Sequence, residues 1–501
     1  MRRRLSLLFA GLLASTAFGA NAENLDHAAL AKLTRQINQV TDRAGARDAT
    51  LESVAPLLTE RLYGIAPTAP LQSPAFATIE GKGGLHTIPV DFMLAQMRLQ
   101  TGARFNANID KALTDANAPA LFIRGGTITL KELAAAAAAQ FPGAIEQNGE
   151  TWTAKWPIVI WSDSGLVLDE GDRLELSTHA GAFVLNAGLL QVNDGSVSGS
   201  TEINGGLPEF KPFIVTAMSG ALQARQAEFS NLGFPGSGST SGISIIGAAL
   251  LPAKIRSFFV ESTFDRVSSV NLLDTHNVLI AQNRFRDADG PAIAVKGVNS
   301  ARILSNIVTG SRQAQGINIQ NRSSDIEIAH NLVLGNRGSG IFLANGVRDI
   351  KVSANLLSGN GRGGISVVRG TCVRLIDNMV VANRQVGIKV RASDQLALSQ
   401  NQLINNSGPG ISVIEQGPKA ALTIDGNQFI ANRSGLHGGS ASQVALSGND
   451  FAGQSPILLD GEFTSYVPQL LRISSADAAA QPFIIHANEQ SSARTDCQSG
   501  S

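Results

Sequence analysis

Three side chains suited to proton transfer and charge neutralisation lie near the middle of the sequence. Asp274 and His276 stand two residues apart, and Lys296 follows one sequence repeat later. A carboxylate that orients a histidine makes the imidazole an effective general base. A lysine can neutralise the carboxylate of an acidic substrate. If the protein is a catalyst, we therefore predict His276 with Asp274 as the base and Lys296 as the carboxylate-neutralising group. The alternative is a turn-forming aspartate beside an exposed histidine.

A second pair of acidic residues follows in the segment 286–290. Asp287 and Asp289 are close enough in sequence to serve as a paired acid and base. The same spacing before Gly290 is typical of an Asx-rich turn. Both interpretations are open at this point.

All these residues lie in or beside a sequence repeat that must position them. Asparagines close eight strand-like stretches at spacings of 22 to 26 residues: Asn283, Asn306, Asn331, Asn355, Asn378, Asn401, Asn427 and Asn449. A column of glycines, each followed by Ile or Leu, keeps the same period: Gly316, Gly340, Gly364, Gly387, Gly410 and Gly435. Self-similarity at a period of this size indicates a solenoid.

The repeating unit is predicted to be a coil of short strands. Each repeat holds two alternating runs, such as residues 326–328 and 341–343, separated by turn residues. We therefore predict a mainly β protein, a right-handed parallel β-helix with a mixed, partly helical N-terminal region. The asparagine column is then a hydrogen-bonded ladder between coils. The glycine column is expected to serve a tight bend that excludes a Cβ.

The N-terminus has the three parts of a secretory signal peptide. Three arginines follow Met1, residues 5–18 are apolar, and Ala20-Asn21-Ala22 is a small-x-small site. The apolar run is shorter than the ~20 residues that a membrane span needs. We therefore expect cleavage after Ala22 and an exported mature protein without a membrane span.

Composition narrows the range of partners. The chain has 40 basic and 40 acidic residues, and removing residues 1–22 removes three arginines, so the mature chain carries a net charge of −3. This balance argues against a nucleic-acid partner, whereas a local basic stripe can still attract a polyanion. No Cys/His spacing resembles a metal site, and no cofactor is expected. The two cysteines, Cys372 and Cys497, can pair in an oxidising compartment, and the sequence leaves that open.

The sequence divides into five predicted parts. After the signal peptide, residues 23–118 form a mixed, mostly helical region. Residues 119–154 form a strand–helix cap whose alanine-rich helix closes the open end of the solenoid. The β-helix follows at 155–455. Residues 456–501 form a C-terminal cap and a flexible tail.

Strand alternation predicts which side chains of the second strand in each coil face outward. The basic members of this outward column are Lys296, Lys389 and Arg391, with Arg369 just beyond one strand. Lys and Arg pair well with carboxylates. We therefore predict that these four residues bind a polyanion, and the resemblance to a known family implies that this polyanion is an acidic polysaccharide. The alternative is a set of solvated surface cations.

The order of the segments resembles the periplasmic alginate (mannuronan) C5-epimerases, a family of the β-helix group of carbohydrate-binding and sugar hydrolase proteins. The resemblance covers most of the mature chain. It lies in residues 125–130, 182–186, 192–195, 211–215, 230–234 and 260–264, followed by the asparagine-ended coils. It implies a periplasmic protein that acts on or binds an acidic exopolysaccharide, by epimerising D-mannuronate to L-guluronate residues in the polymer.

The catalytic motif of that family, Tyr-Gly-x-Asp-Pro-His-Asp, is not retained here. By coil register the matching stretch is residues 290–297, in which Lys296 stands at the histidine position. The alternative function is therefore a catalytically silent protein that binds or guides the polysaccharide, together with other periplasmic export proteins. Among enzymes, a polysaccharide lyase is the second choice.

Overall fold

The computed structural model describes residues 27–46, 48–49, 51–57, 73–92, 94–95, 118–201, 210–234, 238–247, 253–474, 482–485 and 497. The predicted signal peptide, residues 1–22, lies outside this described part of the chain. Within it, no helix is both long enough and apolar enough to cross a membrane.

Three long sheets make up the molecule, and each regular coil gives one strand to each sheet in turn. Sheet 1 consists of β1 (Gly84–Pro89), β2 (Pro119–Arg124), β6 (Ile158–Ile160), β9 (Val184–Asn186), β12 (Ile214–Thr216), β15 (Gly242–Ile246), β18 (Ser269–Leu273), β21 (Ile293–Lys296), β24 (Ile317–Gln320), β27 (Ile341–Ala344), β30 (Gly363–Val368), β33 (Val386–Arg391), β36 (Pro409–Ile414), β39 (Ser434–Gly439) and β41 (Leu459–Gly461).

Sheet 2 consists of β3 (Gly126–Thr129), β7 (Ser164–Leu168), β10 (Leu189–Asn193), β13 (Ala221–Arg225), β16 (Phe258–Val260), β19 (His276–Ala281), β22 (Asn299–Leu304), β25 (Ser324–Ala329), β28 (Arg348–Ser353), β31 (Thr371–Ile376), β34 (Asp394–Ser399), β37 (Ala421–Asp425), β40 (Gln443–Ser447) and β42 (Phe483–Ile485). Sheet 3 consists of β4 (Ile145–Asn148), β5 (Thr151–Ala154), β8 (Arg173–Leu176), β11 (Ser196–Gly199), β14 (Glu228–Ser230), β17 (Thr263–Asp265), β20 (Arg284–Arg286), β23 (Ile307–Thr309), β26 (Leu332–Leu334), β29 (Leu356–Ser358), β32 (Met379–Val381), β35 (Gln402–Ile404) and β38 (Gln428–Ile430).

The described helices are α1 (His27–Gly45), α2 (Leu51–Val54), α3 (Leu130–Gln140) and α4 (Val467–Ser474), with 3₁₀ turns at Ala55–Leu57, Gly238–Thr240 and Glu462–Tyr466. Successive coils pair in parallel in all three sheets, so the predicted parallel β-helix is confirmed, and it has about 12 turns. Antiparallel pairing occurs where β1 joins β2, β4 joins β5 and β42 joins β40. These antiparallel strands pair backbone groups near the sheet ends that the parallel coils leave unpaired.

The N-terminal end of the solenoid is closed by α3. Thr129 caps the helix, and its hydroxyl and Glu132 form a reciprocal capping box. The helix buries Leu130, Leu133 and Ala137 against the interior of the solenoid, as the alanine-rich segment predicts. The coils begin earlier than the expected boundary at 155, because β2 and β3 already pair in parallel with β6 and β7.

The predicted asparagine ladder forms at the corner between sheets 2 and 3. Each interior member donates its Nδ2 to the Oδ1 of the next asparagine, as Asn355 does to Asn378 at 2.9 Å. The same oxygen accepts the backbone N–H of the preceding asparagine, here Asn355, at 3.1 Å. A buried amide is thus satisfied in both directions, which fixes the coil spacing at this corner.

The glycine column is present, but the physical reason predicted for it is wrong. Gly364 does not occupy the left-handed backbone region, because no positive φ occurs there. A Cβ on Gly364 would instead lie 2.3 Å from a methyl of Val380 and 2.9 Å from the carbonyl oxygen of Gly387. Real Cβ atoms do not approach other atoms so closely, so the glycines are required by close packing between coils rather than by a special bend.

Two outer faces of the solenoid are covered. Helix α1 packs Leu33, Ile37 and Val40 onto the outer face of sheet 3, in line with the helical pattern of that segment. The outer face of the first sheet 1 strands is buried under a cluster that includes Val90 and Phe210. At the corner between sheets 3 and 1, by contrast, arginine side chains such as Arg337 and Arg384 are exposed.

Cys372 on β31 is bonded to Cys497, with their Cα atoms 5.5 Å apart, so the pairing that the sequence leaves open is made.

Candidate functional site

A furrow follows the corner where each coil passes from sheet 3 to sheet 1. It is made of three adjoining cavities of about 420, 560 and 560 Å³. The first two share Arg312, and the last two share Arg384 and Gln385. The furrow crosses nine strand steps of sheet 1, from β12 to β39, which at ~4.8 Å per step is roughly 43 Å.

Cations line this furrow along its whole length. We call it the basic furrow, and its cations are Lys211, Arg266, Arg312, Arg337, Arg362, Arg384, Lys389 and Arg433. Its acidic lining residues are Asp289 and Asp460. Amide side chains, hydroxyl side chains and backbone groups supply most of the remaining polar lining. The furrow is therefore strongly positive, although the chain as a whole is close to neutral.

A second asparagine ladder holds the arginines in register. Asn336, Asn360, Asn383, Asn406 and Asn432 are buried at this corner and bond one another as the first ladder does. Three of the arginines come directly after a ladder asparagine. The backbone N–H of Arg384 donates to the carbonyl of Asn360 at 2.9 Å, so its position is fixed one coil below that residue. Repeated corners of this kind place the arginines in a row.

Few acidic side chains neutralise the arginines that line the basic furrow. Toward the N-terminal end of the furrow, Arg312 lies 3.8 Å from Asp289 and Arg266 lies 3.5 Å from Asp265. Arg337, Arg362, Arg384 and Arg433 are exposed and make no ion pair with any residue that the structure describes. Like charges one coil apart repel each other, so a polyanion that bridges them gains free energy from every carboxylate it brings.

The outward column of sheet 1 forms one wall of the furrow at its C-terminal end. The register places Ser366, Lys389, Ser412 and His437 on successive strands in the same position. Of the four cations predicted to bind polysaccharide, Lys389 lies in the furrow.

The other predicted binding residues lie toward the opposite edge of sheet 1. Arg369 follows the end of β30 and donates from Nη2 to Oδ1 of Asn345 at 2.5 Å. Arg391 is the last residue of β33, and its Nε lies 2.7 Å from Oε2 of Glu415. Lys296 ends β21 at the same edge. The predicted set of four is therefore divided between the two edges of sheet 1.

The predicted catalytic residues also lie at this opposite edge. Asp274 and His276 line one cavity of about 310 Å³ at the corner between sheets 1 and 2, together with Lys254 and Arg256. The backbone N–H of Asp274 donates to the carbonyl of Lys296 at 2.9 Å, so the two residues are on adjacent coils. The side chain of Lys296 does not line that cavity, whose cations are Lys254 and Arg256. Burial lowers the pKa of Arg256.

Asp287 and Asp289 take structural positions beside the furrow. Asp287 adopts a left-handed conformation with φ of 56°, and its Oδ1 lies against Gly310. Asp289 pairs with Arg312. Among the residues described, no group of three or more His, Cys, Asp or Glu side chains is arranged to hold a metal ion.

The arginine row was not anticipated from the sequence, although a signal for it exists. The dipeptide Asn-Arg recurs at 336–337, 383–384 and 432–433, in step with the main repeat. Arg362 is displaced by one residue and Ser407 replaces one arginine, so the column is irregular in the sequence. Only the folded corner shows that these residues share one furrow.

Comparison with known proteins agrees with this architecture. The family model described as "Right handed beta helix region" matches residues 219–357 and 346–451. A mannuronan C5-epimerase of Pseudomonas aeruginosa is 32% identical over 345 residues, which cover 63% of this chain and 63% of that protein. A mannuronan C5-epimerase of Pseudomonas fluorescens is 34% identical over 307 residues, 58% of each chain.

A solved structure shows the same fold. The crystal structure of the periplasmic alginate epimerase AlgG superposes with a TM-score of 0.63 at 19% identity, covering 77% of this chain and 94% of that one. The present chain spans 63% and 58% of the lengths of the two Pseudomonas relatives. These comparisons show a right-handed β-helix fold, and they show that about 60% of the chain is similar in sequence to mannuronan C5-epimerases.

Proposed function

We propose that this protein binds an acidic polysaccharide of the alginate class along the basic furrow. The observation that carries the proposal is the row of exposed arginines without ion pairs among the described residues, Arg337, Arg362, Arg384 and Arg433. These cations recur along an open furrow, and a polyuronate presents carboxylates along its whole length. The relatives are named mannuronan C5-epimerases, which supports polymannuronate as the polymer.

The proposed location is the periplasm. The signal-peptide pattern of residues 1–22 supports export. The structural relative is named a periplasmic enzyme, which supports the same compartment. Binding of an acidic polymer in that compartment fits either a modifying enzyme or a protein that guides the polymer during export, including alongside other export proteins.

The second candidate function is C5-epimerisation of mannuronate residues by His276 with Asp274. The shared cavity of these two side chains and its cations Lys254 and Arg256 favour it. Lys296, on the adjacent coil, is the predicted carboxylate-neutralising residue, and its backbone contact with Asp274 supports a common neighbourhood. Such chemistry needs a base on one ring face and an acid on the other.

Retention on immobilised polymannuronate tests the proposed function. The mature protein is expected to be retained at low salt and to elute as ionic strength rises, because charge pairs in an open furrow are screened. A neutral mannan column is the matched control and should retain nothing. Passage through the polymannuronate column at low salt would refute the binding function.

Proton NMR of the polymer after incubation serves as the second readout of the same experiment. Newly formed guluronate residues would show that the protein is an epimerase. Their loss in the His276→Gln variant would locate the reaction in the cavity that Asp274 and His276 line. Binding with no guluronate would leave polysaccharide binding as the function and exclude the epimerase.

A further inference from the structure

One imidazole–carboxylate pair lies at the C-terminal end of the basic furrow. His437 on β39 and Asp460 on β41 are direct neighbours in the register of sheet 1. Nδ1 of His437 lies 3.4 Å from Oδ2 of Asp460. The cavity that contains both also contains Arg384, Lys389 and Arg433. Three cations thus surround the only histidine that lines the described furrow.

The imidazole has a defined orientation. Nδ1 is buried and makes no hydrogen bond, so the carboxylate of Asp460 at ion-pair distance is its polar neighbour. The side chain is still 32% exposed and lines the cavity, so a ligand there can reach the ring, and Nε2 is the nitrogen not facing Asp460. A Cβ on Gly461 would lie 2.8 Å from Cε1 of His437, so the ring also requires glycine beneath it.

The surrounding cations are placed to hold a substrate carboxylate. Lys389, Ser412 and His437 occupy one outward column on three successive strands. Two strand steps separate the backbones of Lys389 and His437, roughly 10 Å, which leaves a gap that one sugar ring can enter. Lys389 and Arg433 make no ion pair within the described ranges, so their charges are available to a ligand.

We infer that this cluster is a lyase site, at which His437 cleaves polymannuronate by β-elimination. The inference rests on the proposed function, because the polymer must first occupy the furrow. Lys389 and Arg433 neutralise the carboxylate of one mannuronate residue, which acidifies its C5–H bond. Nε2 of His437 takes the C5 proton, and Asp460 is the positioning residue that holds the ring.

The reaction balances without any co-reactant. The C5–H bond breaks and its electron pair forms the C4=C5 double bond, while the C4–O bond to the next sugar breaks. The leaving oxygen takes the proton from the imidazolium, so His437 returns to its neutral form. In a mannuronate chair, H5 and O4 lie on the same side of the C4–C5 bond, so one imidazole can serve both atoms. Epimerisation would need a separate acid on the opposite face, and the cavity offers His437 as its one imidazole.

Ultraviolet absorbance of the unsaturated uronate that elimination leaves at the new chain end tests this inference. The full mature protein incubated with polymannuronate should show a steady rise in absorbance. His437→Gln should lower that rate at least ~100-fold, the usual contribution of a placed proton-transfer group. Asp460→Asn should lower kcat at least ~10-fold with KM unchanged, because it leaves the binding cations in place.

Retention of each variant on immobilised polymannuronate shows that the furrow is intact. His86→Gln, an exposed histidine on β1, is the matched control and should keep the full rate. If the unchanged protein is retained on polymannuronate but produces no unsaturated ends, the lyase inference is overturned while the proposed binding function stands. A normal rate in His437→Gln would overturn the inference as well.

Discussion

Replacing Arg337, Arg362 and Arg384 together with alanine is expected to weaken polymannuronate binding about 100-fold at low salt. Exposed charge-assisted contacts contribute about 1 kcal/mol each, and three of them amount to about a factor of 100 in Kd. The folded state should be nearly unaffected, because these side chains are exposed and form no ion pair with described residues. Titration calorimetry with a mannuronate oligosaccharide and a thermal unfolding curve measure the two quantities.

A matched triple variant on another face separates specific from general charge effects. Arg302, Lys351 and Arg374 lie in one outward column of sheet 2. Their replacement by alanine removes the same net charge and should change Kd by less than about threefold, since distant exposed charges are screened. Equal losses in both triple variants would show that the polymer responds to overall charge and would contradict a binding furrow.

Asn378→Ala is expected to lower the free energy of unfolding by about 3 kcal/mol, because buried polar partners lose their bonds. Oδ1 of Asn378 accepts the backbone N–H of Asn355 at 3.1 Å and its Nδ2 at 2.9 Å. Nδ2 of Asn378 donates to Oδ1 of Asn401 at 3.0 Å and to the carbonyl of Val352 at 2.9 Å. Alanine leaves the N–H of Asn355 buried without a partner. Denaturant unfolding monitored by circular dichroism gives the change.

Asn299→Ala provides the control for that measurement. Asn299 is exposed at the start of β22, and its side chain accepts one long hydrogen bond of 3.3 Å from Ser324. Its replacement should change the free energy of unfolding by less than about 0.5 kcal/mol, as for most surface positions. Similar destabilisation by the two substitutions would mean that the ladder contributes no more than an exposed asparagine.

The repeat made the fold predictable, because asparagines that recur every 22 to 26 residues indicate a solenoid in which each coil contributes one of them. The Asn378 column could be recognised from sequence since every coil keeps its asparagine. The second ladder gives a weaker sequence signal, because Ser311 and Gln454 take the end positions and the column of asparagines between them is shorter. The glycine column is visible in the sequence, but its cause depends on atoms of the next coil, such as the carbonyl of Gly387 beside Gly364.

The candidate site was harder to predict. The spacing along the chain shows which coil a residue belongs to, but it does not show at which corner of that coil the side chain lies. Lys296 and His276 are on adjacent coils, yet they occupy the end of a sheet 1 strand and the start of a sheet 2 strand. Lys389 and Arg391 are two residues apart and face the same way, but the first lies in the furrow and the second pairs with Glu415 at the other edge. The conformation of the turns between strands determines which side chains lie in the same cavity.

A crystal structure of the protein with a mannuronate oligosaccharide tests the central claim most directly. The sugar is predicted to lie along the corner between sheets 3 and 1, with successive carboxylates beside Arg337, Arg362 and Arg384 and one ring between Lys389 and His437. Oligosaccharide bound instead at the Asp274 and His276 cavity, with the furrow empty, would contradict it.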